Sequence, residues 1–307
     1  MSLLIHSSNP LHTLQDFGRF GYQDFGVTVC GPLDAHAYAW AQKALAINQN
    51  GNAVEIIRGG FIGEFTKPTE IIVTGADCGA TLNDIPCSNW VSHSVKPGQI
   101  LKLNNPRAGQ VSYLAVAGGF CVTPQYGSVA TSRRDALGGQ AQNGRALCPG
   151  DELHFESQEL QKSSIPQRYI PDYTQPLCLR LIPGYQFEAF DPQAIEVLQN
   201  EVFVVSTEIS RMGYRLKGPE LPNAPPAGLS EPIALGAVQV PPDGHPIILH
   251  RDRQSLGGYP KLGVVCRKDL CFLSQRRPGD KVSWRITTLE QARSEFLTLK
   301  NFFGDFY

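Results

Sequence analysis

Short apolar runs separated by glycine and proline limit the folds open to this chain. Its 307 residues include 30 glycines and 23 prolines. Both residues interrupt helices and favour tight turns, whereas β-branched and aromatic residues favour strands. Strand-like runs recur at 54–57, 71–74, 100–103, 111–117, 177–182, 202–205, 233–240, 262–266 and 282–286. The pattern predicts a mainly β protein with a few short helices, and barrels rather than helical bundles.

Local capping signals predict three helices. Asp34 precedes an apolar stripe that ends at Leu45, and Asp191 precedes a proline at a first helical position. A C-terminal helix is expected from about Thr288, which stands at capping-box spacing from Gln291. The apolar face of that helix comprises Ala292, Phe296, Leu299 and Phe303. Such a stripe is typical of core packing.

The length and one proline-rich segment predict two domains. Domains of roughly 150 residues are usual, so two are expected here. Residues 163–176 carry three prolines and little apolar periodicity, which is typical of a linker. We therefore expect domains at 1–162 and 177–307 joined by this linker. A Pro-Gly-Asp turn at 149–151 and another at 278–280 each precede a strand-like run, which is a weak sign of duplication.

Charge and cysteine usage exclude several classes of protein. The net charge of −1 offers no basic surface for nucleic acid or anionic lipid. No apolar run approaches the roughly 20 residues that span a bilayer, and the N-terminus lacks the features of a secretory signal. The eight cysteines show no CxxC spacing, and most lie in apolar runs such as those around Cys178 and Cys266. Buried, reduced thiols in a cytoplasmic protein are expected.

The usual motifs for cofactors are missing from the sequence. There is no GxxxxGK[ST] loop, no GxGxxG between a strand and a helix, and no GxSxG. His245 and His250 are five residues apart, which is not a metal-ligand spacing, so no metal site is expected. The methionines are Met1 and Met212, so no Met-Lys-Met context exists for attached biotin. An ATP site would be unusual or shared with a partner.

The stretch from Gly236 to Pro260 is the strongest candidate for a ligand site. One apolar run ends at Gln239, the turn Pro241–Gly244 follows, and a second run covers Ile247–Leu249. This arrangement predicts a hairpin. The hairpin leads into the polar cluster 252–254 and then a Gly-Gly pair, which lets backbone approach a ligand closely. The alternative is an ordinary turn with a solvated rim, because this turn chemistry is common.

Three further polar clusters are candidates. Arg211 and Arg215 are four residues apart and together suit a carboxylate or a phosphate, although exposed arginines are more common. Near the N-terminus, Arg19 is either a surface residue or an anion ligand, and Asp34 is expected to cap a helix. A small-residue turn at 74–77 ends a predicted strand.

An ordered set of motifs resembles the allophanate-hydrolase-subunit-2, or biotin-dependent carboxyltransferase-like, family. The motifs are DFGRFG, CGPLDAHAYAWAQKALAIN, AVEI, VTGADC, LAVAGGF, GSVAT, LGG, GRAL, PGDEL, SRMGYRL, GAVQVPPDGHPI, DRQSLGGYP and PGDKV. They span nearly the whole chain, and SRMGYRL, QVPPDG and GGYP are the most specific. The chain departs from many relatives at Ser255–Leu256, where those have Thr-Thr, which places a hydroxyl-dependent contact in doubt.

The resemblance implies a fold, partners and an activity. It implies two tandem cyclophilin-like β-barrels and a heteromeric complex. The chain is most similar to C subunits of ATP-dependent 5-oxoprolinases, which act with A and B subunits to open 5-oxoproline to glutamate. ATP, with magnesium, would be shared with the partner subunit. Two alternatives remain: a biotin-dependent carboxyltransferase subunit acting on a urea-like amide, and a non-catalytic regulator that binds a kinase inhibitor.

Residue chemistry then predicts roles at the positions that the motifs mark. Arg211 is expected to hold a carboxylate or phosphate, Gln239 to hydrogen-bond the lactam, and Asp252 to orient an arginine or help to bind a metal-nucleotide. The predicted substrate-binding residues are Arg215, Gln254, Gly257, Gly258 and Tyr259.

Overall fold

The computed structural model describes residues 1–47, 51–158 and 161–304. Within these ranges the chain forms two compact units. Unit 1 comprises Met1–Phe20 and Val29–Thr174, together with Phe303 and Gly304, and unit 2 comprises Gly21–Thr28 and Gln175–Phe302.

Unit 1 contains two antiparallel sheets that share one core. Its elements are β1 (Ser2–Ser7), β2 (Thr13–Gln15), α1 (Ala35–Ala44), β3 (Ala53–Ile57), β4 (Phe61–Phe65), β5 (Thr69–Gly75), β6 (Thr81–Leu82), β7 (Ile85–Pro86), β8 (Ser92–Val95), β9 (Gln99–Leu103), β10 (Val111–Val116) and β11 (Glu152–His154). The strand orders are β11-β1-β4-β9-β6-β7 and β2-β3-β10-β5-β8. Both sheets contribute to a single hydrophobic cluster that includes Leu3, Phe61 and Leu114.

Packing on both faces explains why β5 is buried along its whole length while burial alternates along β4. Every residue of β5 is buried, because α1 covers one face and the core covers the other. Thr74 accordingly donates its hydroxyl to the Ala37 carbonyl of the helix, at 2.7 Å. In β4, Phe61 and Phe65 are fully buried and the residues between them alternate with partial exposure, as expected of a strand with one face towards the core.

Unit 2 contains a closed barrel. Its elements are β12 (Leu177–Pro183), α2 (Pro192–Asn200), β13 (Phe203–Ser210), β14 (Gly213–Lys217), β15 (Glu231–Pro232), β16 (Ala237–Gln239), β17 (Ile247–Leu249), β18 (Leu256–Gly257), β19 (Lys261–Val265), α3 (Arg267–Ser274), β20 (Lys281–Ile286) and α4 (Leu289–Phe303). The barrel order is β12-β19-β16-β17-β14-β13-β20, and β12 pairs with β20 in parallel to close it. The strands β15 and β18 form a separate two-stranded ribbon.

The prediction of a mainly β protein with a few short helices is confirmed. Of the two expected barrels, the closed barrel of unit 2 is observed directly, and the strands of unit 1 form two sheets around one core. Asp34 caps α1 by accepting from the Ala37 amide at 3.0 Å. Asp191 caps α2, and the Gln291 amide donates to the Thr288 hydroxyl at the start of α4.

The structure differs locally from the sequence analysis in three respects. The run 233–240 forms a strand only at Ala237–Gln239, and the helix α3 was missed after the run 262–266. Cys178 is exposed because β12 alternates and its odd-numbered leucines take the core positions, and Cys121 and Cys148 are also exposed.

The proline-rich segment 163–176 packs on unit 1 along most of its length. Ser164 forms a β-bridge with Val91, and the side chains of Ile165 and Tyr173 are buried. The change of unit falls between Thr174 and Gln175, near the C-terminal end of the segment.

Candidate functional site

The predicted hairpin exists and places Gln239 on the outer face of the barrel wall. Strand β16 pairs with β17 in antiparallel register, with Gln239 opposite Ile247. Because side chains alternate along a strand, Val238 and Val240 enter the barrel core while Gln239 faces the other side. Gln239 is only 2% exposed, and its Nε2 has no hydrogen-bond partner among the described residues. A buried amide without a partner is costly, which marks this position as unusual.

Gly257 is where the predicted residues come together. A Cβ on this residue would lie 3.0 Å from Gln239 Nε2, 3.5 Å from Gln254 Nε2 and 2.6 Å from Ile233 Cδ1. The absence of a side chain therefore lets two amide groups approach the same stretch of backbone. The structure thus brings Gln239, Gln254 and Gly257 into one cluster.

Gly258 and Tyr259 continue this stretch but face different surroundings. A Cβ on Gly258 would lie 2.8 Å from the Gly228 carbonyl, so the two backbones are in close contact. Tyr259 is 43% exposed and lines a cavity of about 300 Å³ that also contacts Asp243 and the proline-rich segment 220–227.

Arg211 and Asp252 form a bidentate ion pair. Arg211 Nε lies 2.8 Å from Asp252 Oδ2, and Arg211 Nη2 lies 2.9 Å from Oδ1. Both side chains are largely buried, at 12% and 10% exposure. The Asp252 amide also donates to the Arg211 carbonyl at 2.8 Å. The two guanidinium nitrogens of Arg211 that we expected to bind a ligand therefore bind the carboxylate of Asp252, 41 residues away in the same chain.

Arg215 is anchored separately. It forms an ion pair with Asp243 of the Pro241–Gly244 turn, and its Nε lies 3.8 Å from Glu208 Oε2. The expectation that Arg211 and Arg215 together grip one anion is not met in this arrangement, because each arginine binds a different carboxylate.

His250 is a buried, neutral imidazole beneath the polar cluster. Its Nδ1 accepts from the Arg251 amide at 2.9 Å, so the proton lies on Nε2, which is 3.3 Å from the Leu270 carbonyl. Burial is the main cause that lowers its pKa to about 3, and the charge of Arg251 adds to this effect. The residue therefore stays uncharged at physiological pH.

Sequence reasoning missed Lys261 and Glu231. Lys261 lies opposite Gln239 in the β16–β19 pairing, and Glu231 lies opposite Gly257 in the β15–β18 ribbon. The two side chains form an ion pair, with the lysine only 12% exposed. Lys261 directly follows the Gly-Gly-Tyr-Pro motif, and this position next to a marked motif is the feature of the sequence that could have identified it.

The candidate clusters of unit 1 are structural. Arg19 is fully buried, so it is not a surface residue, and it donates to the backbone carbonyls of Gln125 and Ala130, at 3.2 and 2.6 Å. Asp16 accepts from the Ser128 hydroxyl at 2.6 Å and from the Val129 amide at 2.7 Å. These groups fix one loop against the core.

Among the residues that the structure describes, no three His, Cys, Asp or Glu side chains are grouped so that they could hold a metal ion. Across the same part of the chain, no helix has the length and apolar character needed to cross a membrane.

The fold and the sequence together define a class. Residues 25–286 match the family described as "Carboxyltransferase domain, subdomain A and B", and the chain belongs to that family.

Relatives with known names fall into two groups. The chain is 34% identical to the C subunit of the 5-oxoprolinase of Haemophilus influenzae over 281 residues, which cover 91% of this chain and 89% of that protein. The corresponding protein of Escherichia coli gives the same identity and coverage. The crystal structure of Kluyveromyces lactis urea carboxylase matches all of this chain with a TM-score of 0.91 and 26% identity. The chain spans 29% of the length of that carboxylase structure.

Proposed function

We propose that this chain is the C subunit of an ATP-dependent 5-oxoprolinase and acts with A-type and B-type subunits to open 5-oxoproline to glutamate. The observation that carries this proposal is the coverage of the relatives. The match extends over 89% of the Haemophilus 5-oxoprolinase chain but only 16% of the yeast urea amidolyase to which this protein is 30% identical. We also propose that the complex works in the cytoplasm, where ATP is available.

The proposed binding site for the lactam is the cluster around Gly257. Gln239 Nε2 is a buried donor without an acceptor among the described residues, so an oxygen of a bound amide would relieve its desolvation cost. Gln254 Nε2 faces the same glycine. We propose that Gln239 and Gln254 hydrogen-bond the lactam, while the backbone of Gly257 and Gly258 lines the floor beneath it.

Arg211 and Asp252 act in this proposal as a positioned pair rather than as separate ligands. Asp252 fixes the guanidinium plane, so Arg211 would present a pre-oriented positive charge to the substrate. Arg215 is fixed by Asp243 of the Pro241–Gly244 turn, and Tyr259 lines a cavity with the same aspartate. We propose that these two residues bound the site on the side of that turn.

The residues of this chain do not fit a magnesium–triphosphate group by themselves. A triphosphate carries several negative charges, whereas Arg211 and Arg215 are each already paired with a carboxylate of the chain and together supply too little net positive charge for it. Within the described ranges no cluster of metal ligands compensates. We therefore propose that the nucleotide and its magnesium ion are held mainly by the B-type partner, and that the isolated chain is inactive.

Reconstitution tests the proposal directly. The chain is mixed with A-type and B-type subunits, and ATP hydrolysis is measured with and without 5-oxoproline. We expect hydrolysis that depends on 5-oxoproline and on all three chains. Full turnover by the purified chain alone, or no dependence on 5-oxoproline in the complete mixture, contradicts the proposal.

A biotin-dependent carboxyltransferase that acts on a urea-like amide is the second candidate. The family description and the structural match of this whole chain to 29% of a urea carboxylase favour it. In that case the biotin would be carried by a partner. Transfer of a carboxyl group from a carboxylated biotin carrier to urea in the presence of this chain, with no response to 5-oxoproline, would select this function.

A further inference from the structure

Lys261 is a largely buried cation whose partner is a more exposed carboxylate. Its side chain is 12% exposed, whereas that of Glu231, the partner, is 33% exposed. The hydroxyl of Tyr185 donates to the same Glu231 oxygen that Lys261 contacts. The hydrogen bond from Lys261, followed by that from Tyr185, lowers the pKa of the Glu231 carboxyl, so the group is an anion at neutral pH.

The surroundings of this pair are rich in donors. Lys261 and Gln239 occupy opposite positions on paired strands, where side chains point to the same face. Gly257 lies opposite Glu231 and against the amide nitrogens of Gln239 and Gln254. We define the donor pocket as the side chains of Gln239, Gln254 and Lys261 around Gly257. The amide nitrogen of Gln239 is buried and has no hydrogen-bond partner among the described residues.

We propose that the donor pocket recognises a substrate that carries a carboxylate next to an amide, and that Glu231 occupies the place of the substrate carboxylate on Lys261 until the substrate displaces it. This inference rests on the proposed function and adds residues outside the Arg211–Asp252 pair. The amide nitrogens of Gln239 and Gln254 would donate hydrogen bonds to the carbonyl oxygen of the substrate. The ammonium group of Lys261 would bind the substrate carboxylate.

The geometry favours exchange of one anion for another. Glu231 is attached to a short two-stranded ribbon, and its side chain is one-third exposed, so leaving Lys261 exposes it to water at little cost. The side chain of Lys261 is only 12% exposed, so little water replaces the carboxylate when Glu231 leaves. The buried cation therefore prefers to bind a replacement anion.

The test measures binding of three probes with matched rings to the full chain by calorimetry at low ionic strength. The probes are 5-oxoproline, cyclopentanecarboxylate, which lacks the amide, and pyrrolidinone, which lacks the carboxylate. Glu231→Gln is expected to raise affinity for both carboxylates about tenfold, since the internal competitor is removed. Lys261→Met is expected to lower it at least about tenfold and to leave pyrrolidinone within about twofold, whereas Lys261→Arg retains carboxylate binding.

Lys268→Met is the matched control. Lys268 also forms a Lys–Glu pair in unit 2, with Glu295 at 3.4 Å, but its side chain is 43% exposed. This variant should bind all three probes as the unchanged chain does. The inference is overturned if Glu231→Gln gains no affinity for carboxylates or if Lys261→Met keeps it. Should Lys261→Met fail to fold, the gain in Glu231→Gln decides alone.

The outcome is separable from that of the proposed function. Lysine-dependent binding of carboxylates together with no 5-oxoproline-dependent ATP hydrolysis in the reconstituted enzyme would leave the donor pocket standing and reject the oxoprolinase assignment. Conversely, 5-oxoproline-dependent ATP hydrolysis that Lys261→Met leaves unchanged would support the oxoprolinase assignment and reject the donor pocket.

Discussion

Both units contain a Pro-Gly-Asp turn bonded to one of their strands in the same way. In unit 1, the Ile5 amide donates to the Asp151 carbonyl at 2.9 Å, and the Gly150 amide donates to the Ile5 carbonyl at 2.7 Å. In unit 2, Val205 takes the place of Ile5, and both corresponding distances are 2.9 Å. The repeated turn of the sequence is therefore also repeated in three dimensions.

The two units differ in what their buried charges bind. In unit 1, Arg19 donates to backbone carbonyls, so the charge holds a loop in place. In unit 2, Arg211 and Lys261 bind side-chain carboxylates. A backbone carbonyl cannot leave without moving the chain, whereas a carboxylate side chain leaves by rotating about its own bonds. Of these three cations, Arg211 and Lys261 are therefore the two whose partners can leave without a movement of the backbone.

The largest expected effect is on unit 1. Arg19→Met removes the guanidinium hydrogen bonds to the carbonyls of Gln125, Ser128 and Ala130 in a fully buried site. The first two carbonyls keep a backbone donor each, so the main loss is the 2.6 Å bond to Ala130 together with the packing of the side chain. We expect the free energy of unfolding to fall by about 3–5 kcal/mol. Chemical denaturation measures this change. Arg134→Met, at an exposed position, is the control and should cost less than about 0.5 kcal/mol. Equal costs would contradict the structural role of Arg19.

Acid should destabilise both units through one histidine each. Burial lowers the pKa of His12 to about 4 and that of His250 to about 3, against about 6.5 in the unfolded chain. The unfolded state therefore binds more protons below pH 6.5, so stability is present above that pH and falls as the pH is lowered. By pH 4.5 each histidine should cost about 2–3 kcal/mol.

Denaturation at pH 7 and pH 4.5 measures this loss. His12→Gln and His250→Gln should each flatten the pH dependence, because the titrating group is gone. Below about pH 4 the loss due to His12 ends while that due to His250 continues. An unchanged pH dependence in His250→Gln would show that the imidazole is not buried in its neutral form.

Arg211→Lys should reduce stability and activity together. Lysine offers a single ammonium in place of the two nitrogens that contact Asp252, so about 2 kcal/mol of stability should be lost. In the reconstituted complex, kcat/KM should also fall, because the charge is no longer oriented. Melting and turnover are measured on the same variant. A destabilised but fully active Arg211→Lys would restrict the pair to a structural role.

The smallest expected effect tests the likeness of the two turns. Gly150 and Gly279 have φ values of 93° and 97°, and a Cβ on either would meet nothing within 4 Å. Alanine should therefore cost only backbone strain, about 1 kcal/mol at each site. Matching changes in Tm are expected from Gly150→Ala and Gly279→Ala. A large difference between them would break the equivalence of the turns.

Much of the fold was predictable because its signals are local. Asp34 and Asp191 cap helices by bonding amides two or three residues away, and the hairpin turn at 241–244 is closed by a bond from Gly244 to Pro241. Such contacts depend on residues that are close together in the sequence. The prediction at Cys178 failed although its strand was predicted. Side chains alternate along β12, and Cys178 lies on the face that is turned away from the core.

The amino-acid sequence by itself determined the mainly β composition, the caps and the hairpin. The candidate site beside Gly257 was predicted from the same stretch of sequence and stays a prediction. Only the tertiary structure decided what each charge binds. Arg211 meets Asp252, 41 residues away, because the pairing of β14 with β17 brings the ends of these two strands together. Lys261 of β19 meets Glu231, 30 residues away, because Glu231 lies on the separate β15–β18 ribbon. Both contacts join elements that are distant along the chain, and for this reason no short stretch of sequence indicates them.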